Sequence, residues 1–278
     1  MTFKQIVKSI LPPFVLSVWH SVRRTFDGSV RLTYAPQGWE TKLPGDPNSE
    51  QNFAKYMAHE RFVCEHAMRK LDDVEPLLVE EDGSAEAALC IANMTYAYVL
   101  ALAAHHKSKL RILDYGGNLA DYYWFGKAML PHVDLKYHCK ELAAVADEGR
   151  KVSPAVIWHT DDTCFDQGYD VVMFSNSLQY NQNWNDLLRR AVAAVEKYFF
   201  LWQVPTVEHV PSYVALQQVR GMTMLWQALN RSDVLTTVES TGLRLVREFL
   251  TAERLSICNA PEQPSVRGWL FQRDGDQA

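Results

Sequence analysis

The stretch Ile112-Leu113-Asp114-Tyr115-Gly116-Gly117-Asn118-Leu119-Ala120 is a short apolar run that ends in an acid and breaks into glycines. It reads as the first strand of an open α/β sheet turning into a ligand loop, because glycine lets a backbone turn sharply and approach a small molecule closely. Downstream, β-rich runs alternate with helical stretches, the signature of parallel βαβ units. The pattern predicts strands at 110–115, 135–141, 155–159, 170–175 and 198–203, with helices near 121–130, 143–152 and 185–196. Five strands in this rhythm predict a doubly wound, mostly parallel sheet.

The rhythm then changes. Residues 206–235 read as a Met- and Trp-containing helical stretch, within an insert that spans 206–242. After it, 243–250, 254–259 and 268–272 look like strands, the last two flanking Ala260-Pro261-Glu262-Gln263-Pro264 as a closing antiparallel hairpin. Upstream, Phe53, Tyr56, Met57, Phe62, Val63 and Met68 fall near helical spacing, and 87–104 is an uncharged, Ala-rich stretch read as a helix covering the sheet rather than a membrane span. Residues 51–278 are expected to form one domain, with 51–106 as its helical cover. Residues 1–50 are expected to be an arm and connector, with a strong turn signal at Leu43-Pro44-Gly45-Asp46-Pro47. The first 26 residues carry Lys4, Lys8, Arg23 and Arg24 and no acid around an apolar run, a composition suited to peripheral contact with an anionic membrane surface.

A net charge of −5 over 278 residues gives no general attraction for nucleic acid, so no nucleic-acid partner is expected. Five cysteines without a C-x-x-C pair suit a reducing compartment and a cytoplasmic protein, and no metal ligand set is expected. The loop lacks the G-x-G-x-x-G of a dinucleotide site, which disfavours an NAD-dependent enzyme, and no phosphate-binding G-x-x-x-x-G-K-[ST] occurs. S-adenosylmethionine needs close backbone approach without a pyrophosphate, and its ribose diol needs an acceptor. Glu141, at the end of the next strand, stands where such an acceptor belongs.

The order of these motifs resembles that of the class I S-adenosylmethionine-dependent methyltransferases. Within them the chain looks most like an uncharacterised bacterial group often encoded with surface-polysaccharide genes. The resemblance rests on Pro12-Pro13, the Leu113–Gly117 loop, the Glu141 strand followed by Gly149-Arg150-Lys151, the run Asp170–Tyr180, Gln203-Val204-Pro205 and Gly268-Trp269-Leu270-Phe271. It implies a Rossmann-like, seven-stranded sheet with an N-terminal helical extension. It also implies that Asp114, Gly116 and Gly117 meet the methionine part of the cofactor, that Glu141 meets its ribose, that Asp161 or Asp162 lies near the adenine amine, and that Ser175 and Asn176 line the cleft. Asn118 and Ala120 stand where the family has its second and third glycines.

Methyl transfer to a hydroxyl benefits from orientation and from a general base. His209 and Tyr180, following the fifth and fourth strands, are the catalytic candidates. By analogy with the resembled group, the expected activity is O-methylation of a sugar or glycan-linked acceptor. The competing reading is a non-catalytic module that keeps the fold as a binding or scaffolding surface at the membrane.

Overall fold

A computed structural model of the chain describes residues 30–43, 50–71, 85–219 and 222–273. The basic segment 1–26 and the turn at 44–47 lie outside the described residues. In chain order the elements are β1 (Arg31–Tyr34), α1 (Glu50–Leu71), α2 (Ala85–Ala103), β2 (Lys109–Tyr115), α3 (Asp121–Met129), β3 (Asp134–Lys140), α4 (Ala143–Val152), β4 (Ile157–His159), β5 (Tyr169–Ser175), α5 (Trp184–Ala193) and β6 (Val195–Val207). There follow β7 (Tyr213–Val219), β8 (Met222–Asn230), α6 (Arg231–Glu239), β9 (Leu243–Arg254), β10 (Ile257–Cys258) and β11 (Ser265–Arg273).

The central sheet runs β4-β3-β2-β5-β6-β11-β9, seven strands of which β11 alone is antiparallel to both its neighbours. Its middle strands are buried on both faces, so they read as continuous apolar runs rather than alternating ones. Val171, Val172, Met173 and Phe174 of β5 are all fully buried. On one face Tyr96, Val99, Leu100 and Ala103 of α2 pack with Ile112, Tyr137, Met173 and Phe200. On the other, Trp184, Leu187, Leu188, Ala191 and Val192 of α5 form the apolar stripe of an amphipathic helix against Val172, Phe174 and Phe199. Among the described residues no helix is long and apolar enough to cross a membrane.

Two expectations need correction. The stretch read as a helical insert is instead the antiparallel pair β7–β8, with helix only at α6. Tyr213, Ala215, Trp226 and Ala228 share one apolar cluster with Leu32 and Ile257, which is the period of two that a strand requires. This pair belongs to a second layer, ordered β10-β1-β7-β8, which joins the main sheet where β8 meets the end of β6 at Thr206↔Leu229 and Val207↔Asn230. The connector thus contributes a strand, β1, to this layer. The closing hairpin is also re-paired. Its arms are β9 and β11, whereas Ile257-Cys258 leaves to lie parallel to β1. Gln263 holds that departure, since its amide accepts from the Ile257 N–H at 2.8 Å and donates to the Ile257 carbonyl at 2.9 Å.

Candidate functional site

The loop after β2 opens at the carboxyl edge of the sheet, between β2 and its neighbours β3 and β5. This is the edge where open α/β sheets bind ligands. Gly116 takes φ +75° and Asn118 and Ala120 take φ 51° and 61°. Alternate residues are therefore left-handed. Asparagine tolerates that region through its short polar side chain, whereas alanine there costs roughly 1–2 kcal/mol. The loop keeps a glycine-type shape without its second and third glycines, and Ala120 leads directly into α3.

Beneath the loop, Asp114 is completely buried and accepts a hydrogen bond from the Tyr137 hydroxyl at 2.7 Å. Its Oδ1 has no partner among the described residues. Gly117 lies so close above it that an added Cβ would stand 2.2 Å from Asp114 Oδ2 and 2.9 Å from Cys139 Sγ. Burial pushes the Asp114 carboxyl up to about 7, with Asp121 and Glu141 adding to the rise against the Tyr137 hydrogen bond. Asp121, at the start of α3, is pushed up to about 6 by burial and by Glu60, while its own N–H and that of Tyr122 oppose the rise.

Glu141 closes β3 and reaches back to the loop. Its Oε1 accepts from the Asn118 N–H at 3.0 Å and its Oε2 from the Leu142 N–H at 2.8 Å. Burial raises its pKa despite these two donors. Asn118 in turn donates from Nδ2 to Glu60 of α1, while its Oδ1 is buried without a partner among the described residues. Helix α1 is thereby held over the loop, where Met57 and Cys64 pack on Leu119 and Val145.

The other predicted residues fall into three groups. Asp161 caps the 3-10 turn Asp162–Asp166, accepting from the Thr163 N–H at 3.1 Å and from its hydroxyl at 2.5 Å, bonds that lower its pKa. Asp162 accepts from Tyr115 at 3.2 Å and from Arg190 at 2.7 Å. The Tyr115 ring stacks on Phe165 and Phe174, with Lys140 Nζ 4.6 Å from its centroid. After β5, the Ser175 hydroxyl lies 3.3 Å from that of Tyr122, and Asn176 (φ 52°) accepts from Gln179 Nε2 at 2.5 Å. Gln179 is 3% exposed, and its Oε1 has no partner among the described residues.

The two catalytic candidates are not brought together. Tyr180 donates to Gln217 Oε1 at 2.8 Å, near the carboxyl end of β7, and burial pushes its hydroxyl up to about 12, helped by Glu60. His209 is exposed at the opposite end of that strand pair, its N–H donating to Glu262 Oε2 at 2.9 Å. The cause is a bend in β6. Trp202 still pairs with Ser175, but Gln203 takes φ 54°, and the strand continues five residues, roughly 16 Å, beyond that pairing to Val207.

Helix spacing and motif order point to the loop and to Glu141, which the structure brings together. They missed Glu60, Tyr137 and Gln179, whose roles depend on contacts across 58 and 23 residues and on one buried amide. The asparagine at 118 was the available signal, being a residue suited to a left-handed turn.

No family model and no curated protein matches the sequence. Among solved structures, the magnesium protoporphyrin IX methyltransferase of Synechocystis PCC 6803 with bound S-adenosylmethionine is similar, with a TM-score of 0.51 and 11% identity over 84% of this chain and 100% of that one. A sarcosine dimethylglycine methyltransferase candidate from Galdieria sulphuraria is similar at TM-score 0.51 and 11% identity, over 78% of this chain and 98% of that one. At such identity the likeness shows the fold: this chain has the fold of the S-adenosylmethionine-dependent methyltransferases.

Proposed function

We propose that the protein is an S-adenosylmethionine-dependent methyltransferase acting on oxygen of a small sugar or glycan-linked acceptor, as expected for a surface-polysaccharide pathway. The observation that carries the cofactor reading is the loop after β2. It holds glycine-type backbone geometry over a buried carboxylate, beside a second carboxylate at the end of β3. The residues fit the cofactor chemically. Asp114 Oδ1 and Asn118 Oδ1 are buried acceptors in need of donors, and the closely set carboxylates Asp114, Asp121 and Glu141 favour a ligand with a cationic end and hydroxyls.

When bound, the cofactor supplies an electrophilic methyl group on a sulfonium. The chain's own part is orientation, which supplies much of the acceleration in such transfers. In this reading Asp114, Gly116 and Gly117 fix the methionine end, Glu141 accepts from the ribose, and Asp161 and Asp162 lie on the adenine side. Ser175 and Asn176 line the cleft. Gln179 and Tyr180, next to them on the loop after β5, form the wall against which an acceptor is held. Both are uncharged, which suits a hydroxylated acceptor. Peripheral membrane contact through residues 1–26 belongs to the same proposal and rests on composition alone.

Transfer of isotopically labelled methyl from S-adenosylmethionine to a panel of monosaccharides and lipid-linked glycans tests the reading, together with a mass-spectrometric comparison of methylated glycans in cells with and without the protein. Labelled sugar that disappears with Glu141→Ala supports it. Labelled amine products in place of ether products would overturn the choice of oxygen, and methyl esters would overturn the choice of a hydroxyl acceptor.

A further inference from the structure

The second-glycine position of the loop carries a side chain, and the residue is held both by its backbone and by its side-chain amide nitrogen. Asn118 donates its backbone N–H to Glu141 and its Nδ2 to Glu60 of the covering helix. Its remaining polar atom, Oδ1, is buried and has no partner among the described residues. A buried amide oxygen without a donor carries a desolvation penalty that a ligand N–H or O–H removes. Donation from Nδ2 to a carboxylate also polarises the amide, making Oδ1 a stronger acceptor. Two independent features give the chemistry of that ligand group. Asp114, wholly buried, has its own Oδ1 without a partner among the described residues. Asp121 and Glu60 lie close enough to interact, and Arg61, next to Glu60, is turned away to pair with Glu148.

We infer that Asn118 Oδ1 is a cofactor contact, accepting a hydrogen bond from the α-ammonium of the methionine end and so tying the bound ligand to helix α1 through Glu60. This rests on the cofactor reading proposed above and assigns a specificity role to the residue that departs from the family loop. A glycine at this position provides backbone alone. The asparagine adds recognition of the amino-acid end of the ligand, and it makes α1 part of the site.

The test is calorimetric binding of S-adenosylhomocysteine and of 5′-deoxy-5′-methylthioadenosine, which lacks the amino-acid end, to the full chain and its variants. Asn118→Gly keeps the positive φ without strain and is expected to weaken S-adenosylhomocysteine about 10-fold, the effect of a lost charge-assisted hydrogen bond, while changing methylthioadenosine less than about 2-fold. Glu60→Gln retains an acceptor for Nδ2 but loses the charge, and is expected to fall between wild type and Asn118→Gly. Equal losses for both ligands would overturn the inference, since they would report loop shape or ribose contact. Unchanged S-adenosylhomocysteine affinity in Asn118→Gly would overturn it too, leaving the cofactor reading intact. A wild-type chain that binds neither ligand would remove both.

Discussion

The loop after β2 and the β7–β8 pair face the same edge of the molecule but are built differently. The loop is a local device: within seven residues it brings a buried acid, a close-approach glycine and three left-handed residues together. The β7–β8 pair draws its stability from distant partners, with β7 pairing to β1 and β1 to β10. In the proposed function the cofactor end is thus built around a sequence-local loop, whereas the layer that Tyr180 of the acceptor wall leans on through Gln217 is non-local and joins the sheet through the end of β6. Variation in the second layer should therefore alter acceptor use and stability while leaving cofactor binding alone.

The largest expected effect breaks that layer. Trp226 is 3% exposed in the cluster between β8, β1 and β10, and Trp226→Ala should destabilise the chain by about 3–5 kcal/mol in denaturant titration, with S-adenosylhomocysteine affinity of the folded fraction changed by less than about 3-fold. Loss of cofactor binding by the folded variant would mean the two regions are one cooperative site. Next, Gly117→Ala puts a methyl group onto the Asp114 carboxylate and should cost about 1–3 kcal/mol and abolish cofactor binding, read by thermal shift with and without ligand.

Asp114 sharpens the comparison through pH. Its folded carboxyl titrates at about 7 against an ordinary value of 3.8, so the folded state holds the proton more tightly than the unfolded state. Its contribution therefore makes stability fall as pH rises between about 4 and 7, and the cost persists above 7. Asp114→Asn should remove that fall and stabilise the free protein at pH 8. It should also abolish any rise in cofactor affinity between pH 6 and 8, the range in which wild-type Asp114 becomes the counter-charge for a cationic ligand. Parallel pH profiles of stability in wild type and variant would contradict the assignment. The smallest effect belongs to His209, exposed at the far end of the hairpin layer: His209→Gln should shift stability by less than about 0.5 kcal/mol and leave methyl transfer within 2-fold. A large drop in turnover would restore it as a base.

The same contrast explains what the sequence disclosed. Helices α3 and α4 and strands β2, β3 and β5 appear within a residue or so of their expected bounds, because βαβ units announce themselves by local periodicity. The span 206–235 reads as helix because its Met, Trp and Leu residues fit a helical face when taken alone. Their alternation becomes decisive only once Leu32 and Ile257, far away in the chain, form the surface they pack against. Asp114 and Glu141 were legible by motif spacing. Glu60 was not, since nothing near it in sequence marks it as the partner of Asn118.

The most direct test of the account is titration of the chain with S-adenosylmethionine and S-adenosylhomocysteine, alongside Glu141→Ala. One site per chain is expected for both ligands, with a raised melting temperature on binding and at least about a 10-fold loss of affinity in a folded Glu141→Ala variant, as for a lost charged hydrogen-bond acceptor. No heat and no melting shift at millimolar ligand, or a Glu141→Ala variant that binds like wild type, would contradict it.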